Sequence, residues 1–322
     1  MMENGVDMTD VFSTAVRTKI RRAHPDAGRW LDQVPDAVER CARRWRLDVG
    51  YPVDGASDSL VLRAVRGSSP VVLKLAVPGP ALERQVAILD AAAGRGYVRL
   101  LDADTSAGVL LLEALGQSVG ARIVAGAEGR RDLSTIFADT LQRAWQVPSG
   151  LIESGPHPAV ELRRTVQRLG AGPAGRDYEA VVSRALAYAD QRLDACDPTR
   201  QVLCHGDPHP WHLCEVLQAR PGAPAGVVFV DPIGVRCEPE YDLAVVTREG
   251  NRSILTTEDA VVTLRAWCAA LAEATDTDAE AIWQWSYLLR VARGLHFLAE
   301  ENQPDEGRLY LQTAAGLIVR RR

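Results

Sequence analysis

The sequence contains very little lysine, and it lacks long apolar runs. Two of its 37 basic residues are lysines, Lys19 and Lys74, and the others are arginines. No apolar run approaches the roughly 20 residues that a membrane-spanning helix needs. The first residues, MMENGVD, do not show the basic and then apolar pattern of an export signal. We therefore expect a cytoplasmic protein with no membrane partner.

The sequence also has no closely spaced cysteine pair and no strong positive charge. No Cys-x-x-Cys motif occurs among its six cysteines, so we expect reduced thiols instead of a disulfide framework. A net charge of −5 gives no reason to expect a nucleic-acid partner. With 322 residues, of which 47% are hydrophobic and 25% charged, the chain is typical of a globular protein large enough for two lobes.

Two acidic motifs follow one another in the second half of the chain. The segment 204–212 reads CHGDPHPWH, and about twenty residues later the apolar run Gly226–Val230 ends at Asp231, before Pro-Ile-Gly. A buried strand that ends in Asp231 and a preceding His-Gly-Asp turn predict two carboxylates at one phosphoryl-transfer site. In such a site Asp207 accepts a proton from a substrate hydroxyl, and Asp231 holds Mg²⁺ against the nucleotide phosphates.

These paired motifs resemble those of the aminoglycoside phosphotransferases, in particular the streptomycin 6-kinase and hydroxyurea phosphotransferase branch. The segment Pro239–Ala244, which reads PEYDLA, is also similar to that branch, and the resemblance covers roughly residues 50 to 300. It implies an α+β, bilobal protein-kinase-like fold with a small antiparallel-sheet N-lobe and a larger, mainly helical C-lobe. We expect the N-lobe in residues 1–116 and the C-lobe in residues 117–322. Helical periodicity is found in the segments 9–22, 30–47, 81–93, 131–147, 158–170, 177–195, 256–274, 278–302 and 307–321.

The N-lobe is expected to bind the nucleotide. Lys74 lies inside the apolar strand Pro70–Val77 of a chain that otherwise uses arginine. A compact ammonium there predicts contact with the α- and β-phosphates, whereas the alternative is a snorkelling residue on an edge strand. The turn at 54–59, which includes Ser57, brings backbone N–H groups to phosphate oxygens or else forms an ordinary hairpin.

The helix that follows this strand departs from the family pattern. The resemblance implies a glutamate that pairs with Lys74, four residues before a leucine. Counted back from Leu89, that position holds Gln85. Glu83 lies two residues away and is the acidic alternative. Both residues are therefore candidates for the partner of Lys74.

By the same resemblance, residues Glu113 to Leu115 form a hinge between the lobes. Backbone N–H and C=O groups of the hinge would read the adenine edge of ATP or GTP. Val72 and Leu112 would supply apolar walls of the nucleotide site.

In the C-lobe, Asp207 is the predicted catalytic base and His205 is expected to brace the loop. The family pattern has asparagine five residues after the base, where this chain has His212. Imidazole lacks the amide oxygen that Mg²⁺ prefers. Three outcomes are therefore open: the metal ion is held mainly by Asp231, the site accepts Mn²⁺ better than Mg²⁺, or catalysis is impaired.

A zinc site is the alternative interpretation of the same loop. Three histidines, His205, His209 and His212, fall within eight residues and are flanked by Cys204 and Cys214. Histidine and cysteine are the usual zinc ligands. The two prolines and the lack of a second cluster favour a catalytic loop over a structural zinc site.

The resemblance therefore implies an antibiotic O-kinase. It also implies a cationic small-molecule acceptor bound by the second lobe, and residues 117–322 do contain an excess of acidic side chains, 27 against 22 basic ones. The acidic segment Glu300–Glu306 is either part of its pocket or a solvated loop. The leading acceptor is an aminoglycoside such as streptomycin, and the cofactors are ATP or GTP with Mg²⁺ or Mn²⁺. The alternatives are a kinase for a nucleoside antibiotic, a peptide antibiotic or a metabolite, and a nucleotide-binding pseudokinase. The chain is expected to be a monomer or a homodimer.

Overall fold

The computed structural model describes residues 17–18, 20–21, 24–53, 59–126, 133–153 and 155–318. The chain divides into two compact units, Met1–Gln117 with Glu215–Asp231, and Ser118–Cys214 with Pro232–Arg322. The predicted division at residue 116 had assigned Glu215–Asp231 to the second lobe, whereas the structure includes this segment in the first unit. None of the helices in the described ranges is long and apolar enough to cross a membrane.

The first unit contains a five-stranded antiparallel sheet with the strand order β1-β2-β3-β5-β4. Its strands are β1 Leu47–Pro52, β2 Leu60–Arg66, β3 Ser69–Leu75, β4 Leu100–Asp104 and β5 Val109–Glu113. Helix α1, Gly28–Trp45, packs its apolar stripe against this sheet, as the periodicity predicted. The other helix of the unit is α2, Pro80–Ala92, which begins at a proline because a missing N–H costs nothing in the first turn. Most of the predicted helix 9–22 lies outside the described residues.

The segment Glu215–Asp231 joins the first unit through backbone and side-chain hydrogen bonds. Strands β6 Leu115–Ser118, β8 Leu213–Val216 and β9 Val227–Phe229 form a three-stranded sheet in the order β6-β8-β9. The Phe229 N–H donates to the Gly96 carbonyl, and the Val98 N–H donates to the Phe229 carbonyl, both at 2.8 Å. The end of β9, and with it Asp231, is therefore fixed to the turn that precedes β4.

The second unit is mainly helical. Its helices are α3 Val119–Val124, α4 Leu133–Ala144, α5 Pro158–Gly170, α6 Glu179–Asp194, α7 Glu240–Arg248, α8 Asn251–Leu255, α9 Ala260–Thr275, α10 Ala279–Ala299 and α11 Pro304–Gly316. Helix α10 is buried on nearly all sides, and Trp283, Trp285 and Tyr287 belong to the core. Strands β7, Val202–Cys204, and β10, Val235–Cys237, pair antiparallel. An antiparallel sheet in the N-terminal part and helices in the C-terminal part confirm the predicted α+β class.

Candidate active site

The loop after β7 is held by one buried carboxylate from helix α7. The backbone N–H groups of His205 and Gly206 donate to Asp242 at 2.7 and 2.9 Å. Gly206 has φ +94°, and a Cβ there would lie 3.0 Å from side-chain atoms of Ile233 and Val235. The backbone angle therefore favours glycine, and a side chain there would also press against its neighbours.

Asp242 is completely buried, and it also accepts a hydrogen bond from the Trp145 indole at 2.9 Å. Burial raises its pKa to about 6, although the three donors act in the opposite direction. The carboxylate satisfies two buried backbone N–H groups, which would otherwise cost free energy. Asp242 belongs to the PEYDLA segment, which is one of the segments that carry the resemblance.

The Asp242→Ala substitution is expected to lower the free energy of unfolding by about 2–4 kcal/mol. Three buried donors would lose their acceptor, at about 1–3 kcal/mol each, while removal of a buried carboxylate offsets part of this loss. Urea unfolding measures the change. The control is Trp145→Phe, which removes one donor and keeps both backbone bonds, and we expect it to cost about 1 kcal/mol. Equal losses for the two variants would contradict this account of the loop.

Asp207 lies two residues after His205 and is paired with an arginine whose side chain is 12% exposed. Arg248, at the end of α7, donates to Asp207 Oδ1 at 3.0 Å and pairs with Glu249 at 2.7 Å. Burial acts to raise the pKa of Asp207, but Arg248, His209 and the neighbouring His212 outweigh it, so the net shift is downward. Asp207 is therefore a carboxylate at neutral pH and can accept a proton.

His205 is fully buried and acts within the loop. Its Nδ1 atom accepts a hydrogen bond from the Asp207 backbone N–H at 3.1 Å, and its carbonyl accepts from Ile233 N–H at 2.8 Å. These contacts join the loop to the strand β10 segment. The role of His205 as a brace of the loop stays a prediction.

The other two histidines of the loop lie beside Asp207. The rings of His209 and His212 stack with centroids 3.7 Å apart. His212 donates from Nδ1 to the Asp207 carbonyl at 2.9 Å, since a carbonyl can only accept. Burial, followed by the neighbouring His212, lowers the pKa of His209 to about 4, so its imidazole is neutral at pH 7.

One ligand atom from each of Asp207, His209 and His212 lies within 4.8 Å of the others. This group differs from the zinc alternative, because it contains neither Cys204 nor Cys214. The Cys204 thiol is buried and is directed at the backbone carbonyls of Cys237 and Glu238. The cysteines that suggested zinc therefore do not contribute to the group.

In the first unit, Lys74 is the penultimate residue of β3 and is 7% exposed. Its Nζ atom is 2.7 Å from Asp231 Oδ1 and 3.4 Å from Gln85 Oε1. Gln85 in turn donates from Nε2 to Asp231 Oδ1 at 3.2 Å. The structure thus brings together Lys74, Gln85 and Asp231, and it does not place Lys74 on a snorkelling edge.

Glu83 is not the partner of Lys74, so that alternative is corrected. It lies in the first turn of α2 and is exposed, whereas Gln85 is buried. Two residues along a helix correspond to a rotation of about 200°, so the two side chains cannot share a face. The position counted back from Leu89 is the one that contacts the lysine.

Asp231 has a left-handed backbone, with φ +58°. Aspartate tolerates this conformation better than most residues. The conformation ends β9 abruptly and leads into Pro232 and Gly234. The Asp231 side chain is 34% exposed, so the carboxylate is still accessible to a ligand.

Several residues of the predicted hinge and nucleotide walls lie in regular β-strands. Val72 on β3 is paired with Leu112 on β5, and Leu115 begins β6. The Glu113 N–H donates to the Arg99 carbonyl at 3.1 Å, so this donor is used within the sheet. Ser57 lies outside the described residues.

Glu113 has a second role that the sequence did not indicate. Its carboxylate accepts from Arg220 Nη2 at 2.5 Å, and the same guanidinium donates to the carbonyls of Gly94 and Tyr97. Arg220 therefore fixes the segment that leads to Asp231. Arginines are so common in this sequence that neither Arg220 nor Arg248 carries a signal that would single it out.

The acidic segment Glu300–Glu306 is largely neutralised by neighbouring basic groups. Glu300 pairs with Arg168 at 2.7 Å, Glu301 with Arg293 at 3.0 Å and Glu306 with Arg252 at 2.7 Å. These ion pairs favour the solvated-loop alternative over a pocket for a cationic acceptor.

The chain is similar in sequence or in fold to known kinases and phosphotransferases. The chain is 28% identical over 276 residues to streptomycin 6-kinase from Streptomyces griseus, a match that covers 82% of this chain and 83% of the relative. A choline/ethanolamine kinase family protein from Mesorhizobium loti has a similar fold, with a TM-score of 0.60, 15% identity, and 88% and 95% of the two chains covered. A spectinomycin phosphotransferase solved with ADP and spectinomycin gives a TM-score of 0.53 at 12% identity, with 89% and 94% covered.

The family model described as aminoglycoside/hydroxyurea antibiotic resistance kinase matches residues 44–300. The region includes both acidic motifs and Lys74. The predicted phosphotransferase activity and the predicted resemblance are confirmed by this match. Because the match spans most of the sequence, the chain belongs to the aminoglycoside/hydroxyurea antibiotic resistance kinase family.

Proposed function

We propose that this chain transfers the γ-phosphoryl group of ATP or GTP to a hydroxyl group of an aminoglycoside-type antibiotic such as streptomycin. The observation that best supports this proposal is the Asp207 carboxylate, which is ionised and lies on a loop that Asp242 fixes. The similarity to a streptomycin 6-kinase supports the choice of acceptor. A phosphoryl group adds negative charge and bulk to a cationic drug, which would weaken the binding of the drug to its target.

Asp207 acts as the catalytic base in this proposal. Its carboxylate accepts a hydrogen bond from the acceptor hydroxyl and orients the oxygen toward the γ-phosphorus. Because the transition state of phosphoryl transfer is largely dissociative, the proton moves to Asp207 late. Arg248 keeps the carboxylate ionised and fixes one of its oxygens, so that the other can face the hydroxyl.

Lys74 and Asp231 act on the nucleotide. The Lys74 ammonium is buried among apolar strand residues, where a charge interacts strongly with phosphate oxygens. Asp231 would hold Mg²⁺, and the ion would neutralise charge on the nucleotide phosphates. The 2.7 Å pair between Lys74 and Asp231 keeps the two groups correctly placed for this role before the nucleotide binds.

The two predicted metal ligands differ in their fit to Mg²⁺. Asp231 offers carboxylate oxygen, which Mg²⁺ prefers. His212 offers an imidazole nitrogen, and its Nδ1 atom is already bonded to the Asp207 carbonyl. Imidazole suits zinc, iron and similar metals better than Mg²⁺. We therefore assign Mg²⁺ to Asp231 in the proposal, and we do not assign it to His212.

Two departures from the family pattern favour a second candidate function, a nucleotide-binding pseudokinase. Gln85 stands where the resemblance implies a glutamate, and His212 stands where it implies an asparagine. In this alternative the first unit would bind nucleotide without transfer. An acceptor of another class, such as a nucleoside antibiotic, a peptide antibiotic or a metabolite, is the alternative within catalysis.

A phosphoryl-transfer assay over an acceptor panel tests the proposal. The purified chain is incubated with ATP or GTP and Mg²⁺ or Mn²⁺, and each acceptor is examined by mass spectrometry for one added phosphoryl group. The panel contains streptomycin, other aminoglycosides, nucleoside antibiotics, peptide antibiotics and simple sugars. We expect streptomycin to be phosphorylated, and bacteria that express the chain to tolerate it.

Nucleotide binding is measured in parallel by thermal shift, so that the alternatives can be distinguished. Transfer to a nucleoside or peptide antibiotic alone would replace the acceptor class. Nucleotide binding with no transfer to any acceptor would contradict the proposed reaction and favour the pseudokinase.

A further inference from the structure

The catalytic loop of the second unit carries a group of metal-ligating side chains that the proposed reaction does not use. Asp207, His209 and His212 offer one carboxylate oxygen and two imidazole nitrogens within 4.8 Å of one another. All three side chains are partly buried. Two histidines and one carboxylate form a donor set that transition metals accept at adjacent coordination positions.

The hydrogen bonds of the loop prepare His212 to bind a metal. Its Nδ1–H donates to the Asp207 carbonyl at 2.9 Å, which fixes the tautomer. The lone pair is therefore on Nε2. A ligating histidine normally donates its other ring N–H to a carbonyl or carboxylate, and this contact orients the ring.

The ring nitrogens of His209 are not held by the protein. Its Nδ1 atom is buried and makes no hydrogen bond. Its Nε2 atom is 3.5 Å from Asp207 Oδ2, which is longer than a normal hydrogen bond. Neither ring nitrogen is thus committed to a protein partner, although a buried polar atom without a partner costs free energy.

The charges nearest to the three side chains do not oppose the binding of a cation. Arg248 contacts Oδ1 of Asp207 at 3.0 Å, so Oδ2 is the oxygen that faces His209. The positive charge of Arg248 is balanced by Glu249 at 2.7 Å. A divalent ion would therefore meet a carboxylate oxygen and two imidazoles beside an ion pair with no net charge.

We propose that Asp207, His209 and His212 bind a divalent transition metal ion of the zinc type. The donor set distinguishes this ion from Mg²⁺, which prefers oxygen ligands. The bound ion would occupy the carboxylate that the acceptor hydroxyl needs, so it would inhibit transfer. The binding does not depend on the proposed function, whereas the inhibition rests on it.

Cobalt is the probe for the binding, because Co²⁺ replaces Zn²⁺ and absorbs visible light. Metal-stripped protein is titrated with Co²⁺ in the absence of nucleotide and acceptor. We expect one Co²⁺ per chain and no thiolate-to-cobalt absorption. His209→Ala and His212→Asn should each weaken the affinity at least about 100-fold, since even indirect partners of a ligand contribute 10–100-fold.

The matched control is His24→Ala, which removes an exposed histidine of the first unit. Its Co²⁺ affinity should equal that of the unaltered chain. Circular dichroism shows whether each variant is folded. The site would be overturned by no cobalt binding, by binding with thiolate absorption, or by loop variants that bind Co²⁺ as tightly as the unaltered chain.

A second measurement tests the inhibition. If transfer occurs, added Zn²⁺ should inhibit the unaltered chain at concentrations at least about 100-fold lower than those that inhibit the His209→Ala variant. If Zn²⁺ inhibits both proteins at the same concentration, the proposed inhibition through this site is wrong. The cobalt titration alone then decides whether the site exists. If no acceptor is phosphorylated, the proposed reaction fails, while the cobalt titration still decides whether the site exists.

Discussion

Asp207→Asn is expected to lower the rate of phosphoryl transfer by about 10²–10⁴-fold, which is the usual contribution of a general base. The amide has the same shape as the carboxylate but cannot accept the proton of the hydroxyl. Nucleotide affinity should stay nearly constant, because Lys74 and Asp231 belong to the other unit. Single-turnover transfer and nucleotide titration measure the two quantities separately.

The control for this variant is provided by Arg248. This arginine pairs with two carboxylates, Asp207 at 3.0 Å and Glu249 at 2.7 Å, and both are similarly exposed. Glu249→Gln removes one negative charge from the same guanidinium but leaves the proposed base intact. We expect transfer by Glu249→Gln to remain close to that of the unaltered chain. If both variants lose activity to the same extent, the charge balance of Arg248 matters and Asp207 is not the base.

Several elements could be predicted from local patterns. The helix expected over 158–170 is α5, Pro158–Gly170, because proline marks its first turn and apolar residues recur at helical spacing. Lys74 could be singled out because lysine is so rare in this chain. Gln85, which contacts Lys74, occupies the position that the resemblance implies when it is counted back from Leu89. These cases depend on residues that are near in sequence or unusual in type.

The other contacts depend on long-range packing, which composition does not reveal. Arg220 anchors the segment before Asp231 through residues more than 100 positions away, and Arg248 reaches Asp207 from 41 positions away. Because 35 of the 37 basic residues are arginines, neither Arg220 nor Arg248 can be singled out from the sequence. The assignment of Glu215–Asp231 to the first unit also depends on β9 docking beside residues 96–98, which no local pattern encodes.

Because Gln85 stands where the resemblance implies a glutamate, the charge of Lys74 is balanced by a different residue, Asp231. A glutamine carries no charge, so Asp231 is the carboxylate that neutralises Lys74 at 2.7 Å. Gln85 donates to the same Asp231 oxygen at 3.2 Å and therefore links helix α2 to the pair. In the proposed function, the ammonium and the carboxylate are therefore already side by side where the phosphates and the metal would bind.

Lys74→Met is expected to reduce transfer by about 10²–10³-fold, the usual effect of removing one group that stabilises the transition-state charge. Methionine fills the space of the buried stem but provides no ammonium for the phosphates. Asp231 would lose its partner on β3 and keep the hydrogen bond from Gln85, so metal and nucleotide affinity should change together. Lys74→Arg is the matched variant that restores the charge. Because guanidinium is broad and planar, we expect it to recover part of the rate only. Full activity in Lys74→Met, measured by single-turnover transfer with thermal unfolding as the check on folding, would remove Lys74 from the nucleotide site.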